Sequence, residues 1–210
     1  RGGKTSFMAQ CRADRLAQGR PPEGQLFVSL EDERFVGMSV GDLAWLLDEH
    51  ALRFPGLREA GTMTVYLDEA QTVPGWEGLV RRLIDAGGVE LFVSGSSAKL
   101  LSREVATSLR GRAMEVLVHP FSFREALRHA GAEPQKPVLR LRPADRAALD
   151  QPLRRYLAEG GFPEAQGATP RDRAALLGGY VDVVVLRDVI ERHAVSNPLA
   201  LRWIERQLLA

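Results

Sequence analysis

Three short stretches carry residue types that could handle a phosphate group. The chain opens Arg1-Gly2-Gly3-Lys4-Thr5-Ser6. Glycines before a Lys-Thr pair let backbone N–H groups wrap phosphate oxygens at a helix N-terminus. The Lys4 ammonium would then reach the outer phosphates, and the Thr5 hydroxyl would sit on magnesium. Gly2, Gly3, Lys4, Thr5 and Ser6 are therefore candidate phosphate-binding residues. They match only the second half of such a loop, and a bare Gly-Lys-Thr also opens ordinary helices, so a second element is required. It comes at Thr64-Val65-Tyr66-Leu67-Asp68-Glu69, an apolar run ending in two carboxylates. Asp68 would hold the magnesium shell together with Thr5, and Glu69 would polarise an attacking water. The competing reading is a strand running into a polar turn. A third element, Phe92-Val93-Ser94-Gly95-Ser96-Ser97, ends in hydroxyls. Ser94 first and Ser96 second could sense a terminal phosphate or orient the water; a serine- and glycine-rich turn accounts for them equally well.

These groups do chemistry only if a scaffold brings them together, and the intervening pattern supplies one. Strand candidates at 26–30, 63–67, 89–94 and 115–119 are nearly continuously apolar, as for strands covered on both faces by helices. Trp76, Leu79, Val80, Leu83 and Ile84 recur at helical spacing and stop at Gly87-Gly88. Strands alternating with helices predict an α/β domain around a parallel sheet, which places its chemistry at the carboxyl ends of the strands. Ser122 and Glu125 form a capping box for a helix through Ala130. The nucleotide-binding core is accordingly read as 1–130, a proline- and glycine-rich linker as 131–143, and a helical lid region with the start of a further C-terminal part as 144–210. In that last region the spacing predicts helices over 144–159, ending at Gly160-Gly161, and over 170–193. A final helix is capped by Asn197, and Trp203, Ile204 and Leu208 give it an apolar stripe in need of a partner. The chain begins abruptly, with no strand before its first helix, and is read as a fragment cut inside its phosphate-binding loop.

Composition narrows the function classes. In 210 residues with 45% hydrophobic content there is enough apolar surface for a real core. The one cysteine, Cys11, is read as a small buried hydrophobe and fits a reducing compartment, and the four histidines have no metal-ligand spacing. No apolar run is long enough to span a bilayer and no leader opens the chain, so the cytoplasm is the default. A formal net charge of +1 argues against strong direct DNA binding. The only lysines are Lys4, Lys99 and Lys136 among many arginines, which singles Lys4 out.

Several further motifs join these. Leu67-Asp68-Glu69-Ala70-Gln71 is followed by Val73-Pro74-Gly75-Trp76-Glu77, and Ser94 leads into Gly95-Ser96-Ser97-Ala98-Lys99-Leu100-Leu101-Ser102 and later Ser108-Leu109-Arg110-Gly111-Arg112. Pro120-Phe121-Ser122-Phe123-Arg124-Glu125, Gly160-Gly161-Phe162-Pro163-Glu164 and Leu186-Arg187-Asp188-Val189-Ile190 complete the set. Together they resemble a large group of uncharacterised prokaryotic AAA+ P-loop ATPases, in which an AAA domain 14 core precedes a C-terminal domain of unknown function. The resemblance covers nearly the whole chain. It implies a sheet of order 5-1-4-3-2, here without strand 1, a helical lid with Gly161-Phe162-Pro163 as its motif, and ATP with Mg2+ as the ligands. It also implies an arginine that contacts the terminal phosphate in cis or from a neighbouring copy, with Arg112 favoured over Arg110; a salt-bridged surface arginine is the competing reading. Two uses of such a core remain: hydrolysis that drives a shape change, or a slowly hydrolysing nucleotide-gated switch that recruits a protein or DNA partner. Homo-oligomers and a protein client fit either use.

Overall fold

The computed structural model describes residues 3–95, 109, 111–135, 141–184, 189 and 196–209. The chain divides into two compact units, the first Lys4–Leu117 and the second Val118–Ala210 together with residues 1–3.

In the first unit three strands form where the apolar runs predict them: β1 (Gln25–Ser29), β2 (Met63–Asp68) and β3 (Val89–Val93). They pair in parallel in the order β1-β2-β3, with Ser29 opposite Asp68 and Leu67 opposite Val93. This is the 4-3-2 portion of the expected order. Helices α1 (Lys4–Ala17), α2 (Val40–Arg53) and α3 (Trp76–Ala86) accompany them. Alternation along the strands sorts side chains onto two faces. On one, Val28 and Leu30, then Met63, Val65 and Leu67, meet Leu43 and Leu47 of α2 and Trp76, Leu79, Val80 and Leu83 of α3 in a single apolar core.

The other face carries three cross-strand rows set by the register: Gln25, Thr64 and Glu90; then Phe27, Tyr66 and Phe92; then Ser29 and Asp68, with Ser94 just beyond β3. In the middle row the Tyr66 ring lies 5.9 Å from Phe27 and 5.0 Å from Phe92, both pairs stacked. Helix α1 ties itself to this face at both ends. Arg15 bonds Glu90 and lies 4.6 Å over the Phe92 ring, while Thr5 bonds Asp68.

The second unit is helical in its described residues: α4 (Phe123–His129), α5 (Pro143–Ala147), α6 (Asp150–Glu159), α7 (Pro170–Val183) and α8 (Pro198–Leu209). The Ser122–Glu125 capping box forms as read. Two of the motifs quoted above meet inside this unit. The Phe121 N–H donates to the Gly161 carbonyl at 2.7 Å, and the Tyr156 hydroxyl donates to the Phe121 carbonyl at 2.7 Å. A Cβ on Gly161 would fall 2.1 Å from that carbonyl oxygen, so only glycine fits. Trp203 and Ile204 of α8 are exposed.

Two expectations need correction. Residues 115–119 form no strand; Val116 and Leu117 are exposed. β-propensity does not make a strand without a neighbour to pair with, and the expected neighbour, strand 1, is not among the sheet's three strands. The helix expected over 144–159 is two helices, α5 and α6. Pro152 has no N–H to give the carbonyl four residues back, so it cannot sit inside a continuous helix and instead falls in the first turn of α6.

Candidate nucleotide-binding site

At the carboxyl edge of the sheet, the end of β2, the residue after β3 and the first turn of α1 converge. Asp68 is 3% exposed and Ser94 6% exposed. The Thr5 hydroxyl donates to Asp68 Oδ2 at 2.7 Å, and the Ser94 hydroxyl donates to Asp68 Oδ1. Both carboxylate oxygens are thus held by neutral donors, and Asp68 makes no ion pair among the described residues. A carboxylate buried without a balancing cation is costly, so this site favours a positive charge.

Lys4 begins α1, whose first turn contains no acidic residue. Its backbone N–H, with those of Thr5 and Ser6, is among the four a helix cannot satisfy internally, and the helix dipole adds positive potential there. Lys4 makes no ion pair among the described residues. Gly3 holds φ +93, a left-handed conformation that favours glycine, although a Cβ would meet nothing within 4 Å. The sequence therefore folds locally into a cationic, N–H-rich turn beside a buried carboxylate. An anion and a divalent cation fit these two parts respectively. A hydroxyl and a carboxylate are the hard oxygen donors that magnesium takes alongside phosphate oxygens.

Glu69 follows Asp68 in the left-handed region, φ 55 and ψ 45, and no other described non-glycine residue has positive φ. Such a backbone is strained for a side-chain-bearing residue. Ser94 helps hold it: the Glu69 N–H donates to Ser94 Oγ at 3.3 Å and the Ala70 N–H to the Ser94 carbonyl at 3.0 Å. From the far side the Gln71 amide Nε2 donates to Glu69 Oε2 at 2.5 Å.

The structure thus brings together Thr5, Asp68, Glu69 and Ser94, with Lys4 adjacent to Thr5 and Ser6 one position further along α1. It does not bring Arg112 to them. Arg112 pairs with Asp85, on the last turn of α3. That helix runs back about 16 Å from the carboxyl edge to the amino edge of the sheet. Gly2, Ser96 and Arg110 lie outside the described residues. From the sequence alone Gln71 stands within a motif but has no role of its own, and the left-handed Glu69 is not foreseen. The Gln71 signal stood two residues after the carboxylate pair, whereas nothing in residue types marks a glutamate for positive φ.

Comparison with known proteins agrees with this architecture. Residues 1–127 match a family of AAA domains, and the chain belongs to that family. Membership makes it a protein of the nucleotide-binding ATPase type. It is 34% identical over its whole length to an uncharacterised protein of Methanocaldococcus jannaschii, covering 44% of that relative. It is 29% identical over 97% of its length to an uncharacterised protein of Haemophilus influenzae, covering 48% of that one. The chain thus spans less than half the length of these relatives. No solved structure matches it. No helix among the described residues is long and apolar enough to cross a membrane.

Proposed function

We propose that this chain is the core of an ATPase that binds ATP with Mg2+ on Lys4, Thr5 and Asp68 and hydrolyses it with Glu69 as the base. The observation that carries this reading is the buried Asp68 carboxylate, held by the Thr5 and Ser94 hydroxyls and without a cation partner among the described residues. In this reading Lys4 and the free N–H groups of α1 hold the phosphates, with Gly3 supplying the turn before them. Thr5 and Asp68 would hold the metal. Magnesium, when bound, neutralises charge that develops on the phosphate oxygens. Glu69, fixed by its strained backbone next to Asp68, accepts the proton of the attacking water. Ser94 keeps the ends of β2 and β3 in register, so that both carboxylates stay at one edge.

Arg112 would enter only from a neighbouring copy, because within its own chain it lies beside Asp85 on the last turn of α3 and not at the carboxyl edge of the sheet. Residues 144–210 would supply the helical lid that hydrolysis moves, together with the start of a further C-terminal part.

The test is ATP binding and steady-state hydrolysis by the full-length protein. Lys4→Ala should weaken ATP binding at least about tenfold. Glu69→Gln should bind within about twofold of wild type and lose roughly 10²-fold or more in turnover, the range expected for a missing general base. Equal loss of binding in both variants would break the division of roles. Binding without turnover in the wild type would mean a nucleotide-gated switch.

A further inference from the structure

The turn after β2 contains a side chain that the proposed chemistry does not use. Residues Ala70–Thr72 form a single 3-10 turn whose N-cap is the left-handed Glu69. Its frame is rigid. Ala70 and Val73 are buried in the apolar core, and the single proton of the Thr72 hydroxyl is shared between the carbonyls of Leu30 at 3.2 Å and Glu69 at 3.0 Å. Gln71 therefore leaves a fixed backbone, and its amide reaches back to the glutamate two residues earlier. Nε2 donates to Glu69 Oε2 at 2.5 Å, while Gln71 Oε1 is buried and has no hydrogen-bond partner among the described residues.

A buried amide oxygen without a donor is unfavourable. The opposite amide orientation would place that oxygen against the Glu69 carboxylate, which is worse, because two acceptors would then face each other. The geometry is thus settled by the bond to Glu69 and not by the surroundings of Gln71. Its effect on Glu69 is directional. One carboxylate oxygen is occupied by the amide, and the other, Oε1, makes no hydrogen bond among the described residues and is left to accept from a water.

We propose that Gln71 is a positioning residue for Glu69, acting through the Nε2 to Oε2 hydrogen bond to aim the second carboxylate oxygen at the attacking water. The proposal rests on the reading of Glu69 as the base. Gln71 does not itself touch nucleotide or metal, so its loss lowers the rate of the chemical step and leaves ATP affinity alone. By analogy with residues that orient metal ligands, the loss should be about 10- to 100-fold.

The experiment compares Gln71→Met and Gln71→Glu with wild type and Glu69→Gln in the full-length protein, measuring kcat, KM, ATP affinity and thermal midpoint. Methionine keeps the length and removes the donor; glutamate keeps the shape and turns the donor into a like charge. Gln71→Met should lower kcat roughly tenfold and Gln71→Glu roughly a hundredfold, both with KM and ATP affinity within about twofold of wild type. The Gln71→Met midpoint should not fall, since the unpartnered oxygen goes with the amide. If Glu69→Gln loses turnover while Gln71→Met keeps the wild-type kcat, the positioning role is wrong and the base assignment stands. Parallel losses of affinity, midpoint and kcat in the Gln71 variants would make Gln71 a folding residue and overturn the proposal. Full turnover by Glu69→Gln would overturn the base assignment and this inference together.

Discussion

The two faces of the sheet are built on different principles although they share the same three strands. One face meets α2 and α3 with aliphatic side chains and Trp76, and its cohesion comes from area removed from water. The other meets α1 through a polar row, an aromatic row and a hydroxyl-carboxylate row, and its cohesion adds directed contacts to the burial of Tyr66 and of Met8 of α1. Area burial tolerates small displacements, whereas a hydrogen bond of 2.7 Å to a carboxylate does not. The candidate site lies on the directed face. A helix that carries a phosphate-binding turn must be held in register along the strands, and the contacts at Arg15 and Thr5 do this at both its ends.

The contrast is open to attack from either side. The largest effect should come from the apolar face: Leu43→Ala removes a fully buried side chain and should cost about 2–5 kcal/mol in urea denaturation. The ATP affinity of the protein that remains folded should stay within about twofold. A large affinity change there would mean that the faces are not independent.

A smaller effect is expected from Tyr66→Phe. The Tyr66 hydroxyl donates to Gln25 Oε1 at 3.0 Å, and burial pushes the phenol's pKa upward, so it remains a donor throughout the neutral range. Removing it leaves a buried acceptor unmet, a loss of about 1–2 kcal/mol by the same measurement.

The smallest effect concerns pH. The hydrogen bond from the Arg15 guanidinium, aided by its charge, holds the Glu90 carboxyl below its usual value. A carboxyl lowered on folding stabilises the protein above its unfolded value near 4.3, and that contribution is lost as the pH falls through the lowered folded value. Because Glu90 is half exposed, the contribution should be under about 1 kcal/mol. Measured as the difference between wild type and Glu90→Gln, it should be present at pH 7 and shrink toward pH 3.

What could be read from the sequence was whatever local spacing encodes. Thr5 and Asp68 were legible because loop and strand edge each have a signature, and α3 because Trp76, Leu79, Val80 and Leu83 repeat at its period before Gly87-Gly88. Helix α2 escaped notice: its capping box uses Asp42 in place of the usual Glu, and Trp45 and Leu52 blur its apolar face by standing exposed. The three rows under α1 were hidden for a different reason. They are a product of register between strands far apart in sequence, and the reading of β2 as a uniformly apolar run hid the alternation of Thr64, Tyr66 and Asp68. Residues 115–119 misled by the same route, since strand propensity says nothing about whether a neighbour exists.

The bond between Thr5 and Asp68 joins residues 63 apart in the chain, and the pairing of Gln25 with Thr64 spans 39. At ordinary rates of synthesis Thr5 is made roughly 3–13 s before Asp68. Contacts between distant residues also form slowly, because long loops must close before they are rewarded. Throughout that interval α1 has no row of side chains to lie against. The apolar face can assemble without α1, but the candidate site cannot.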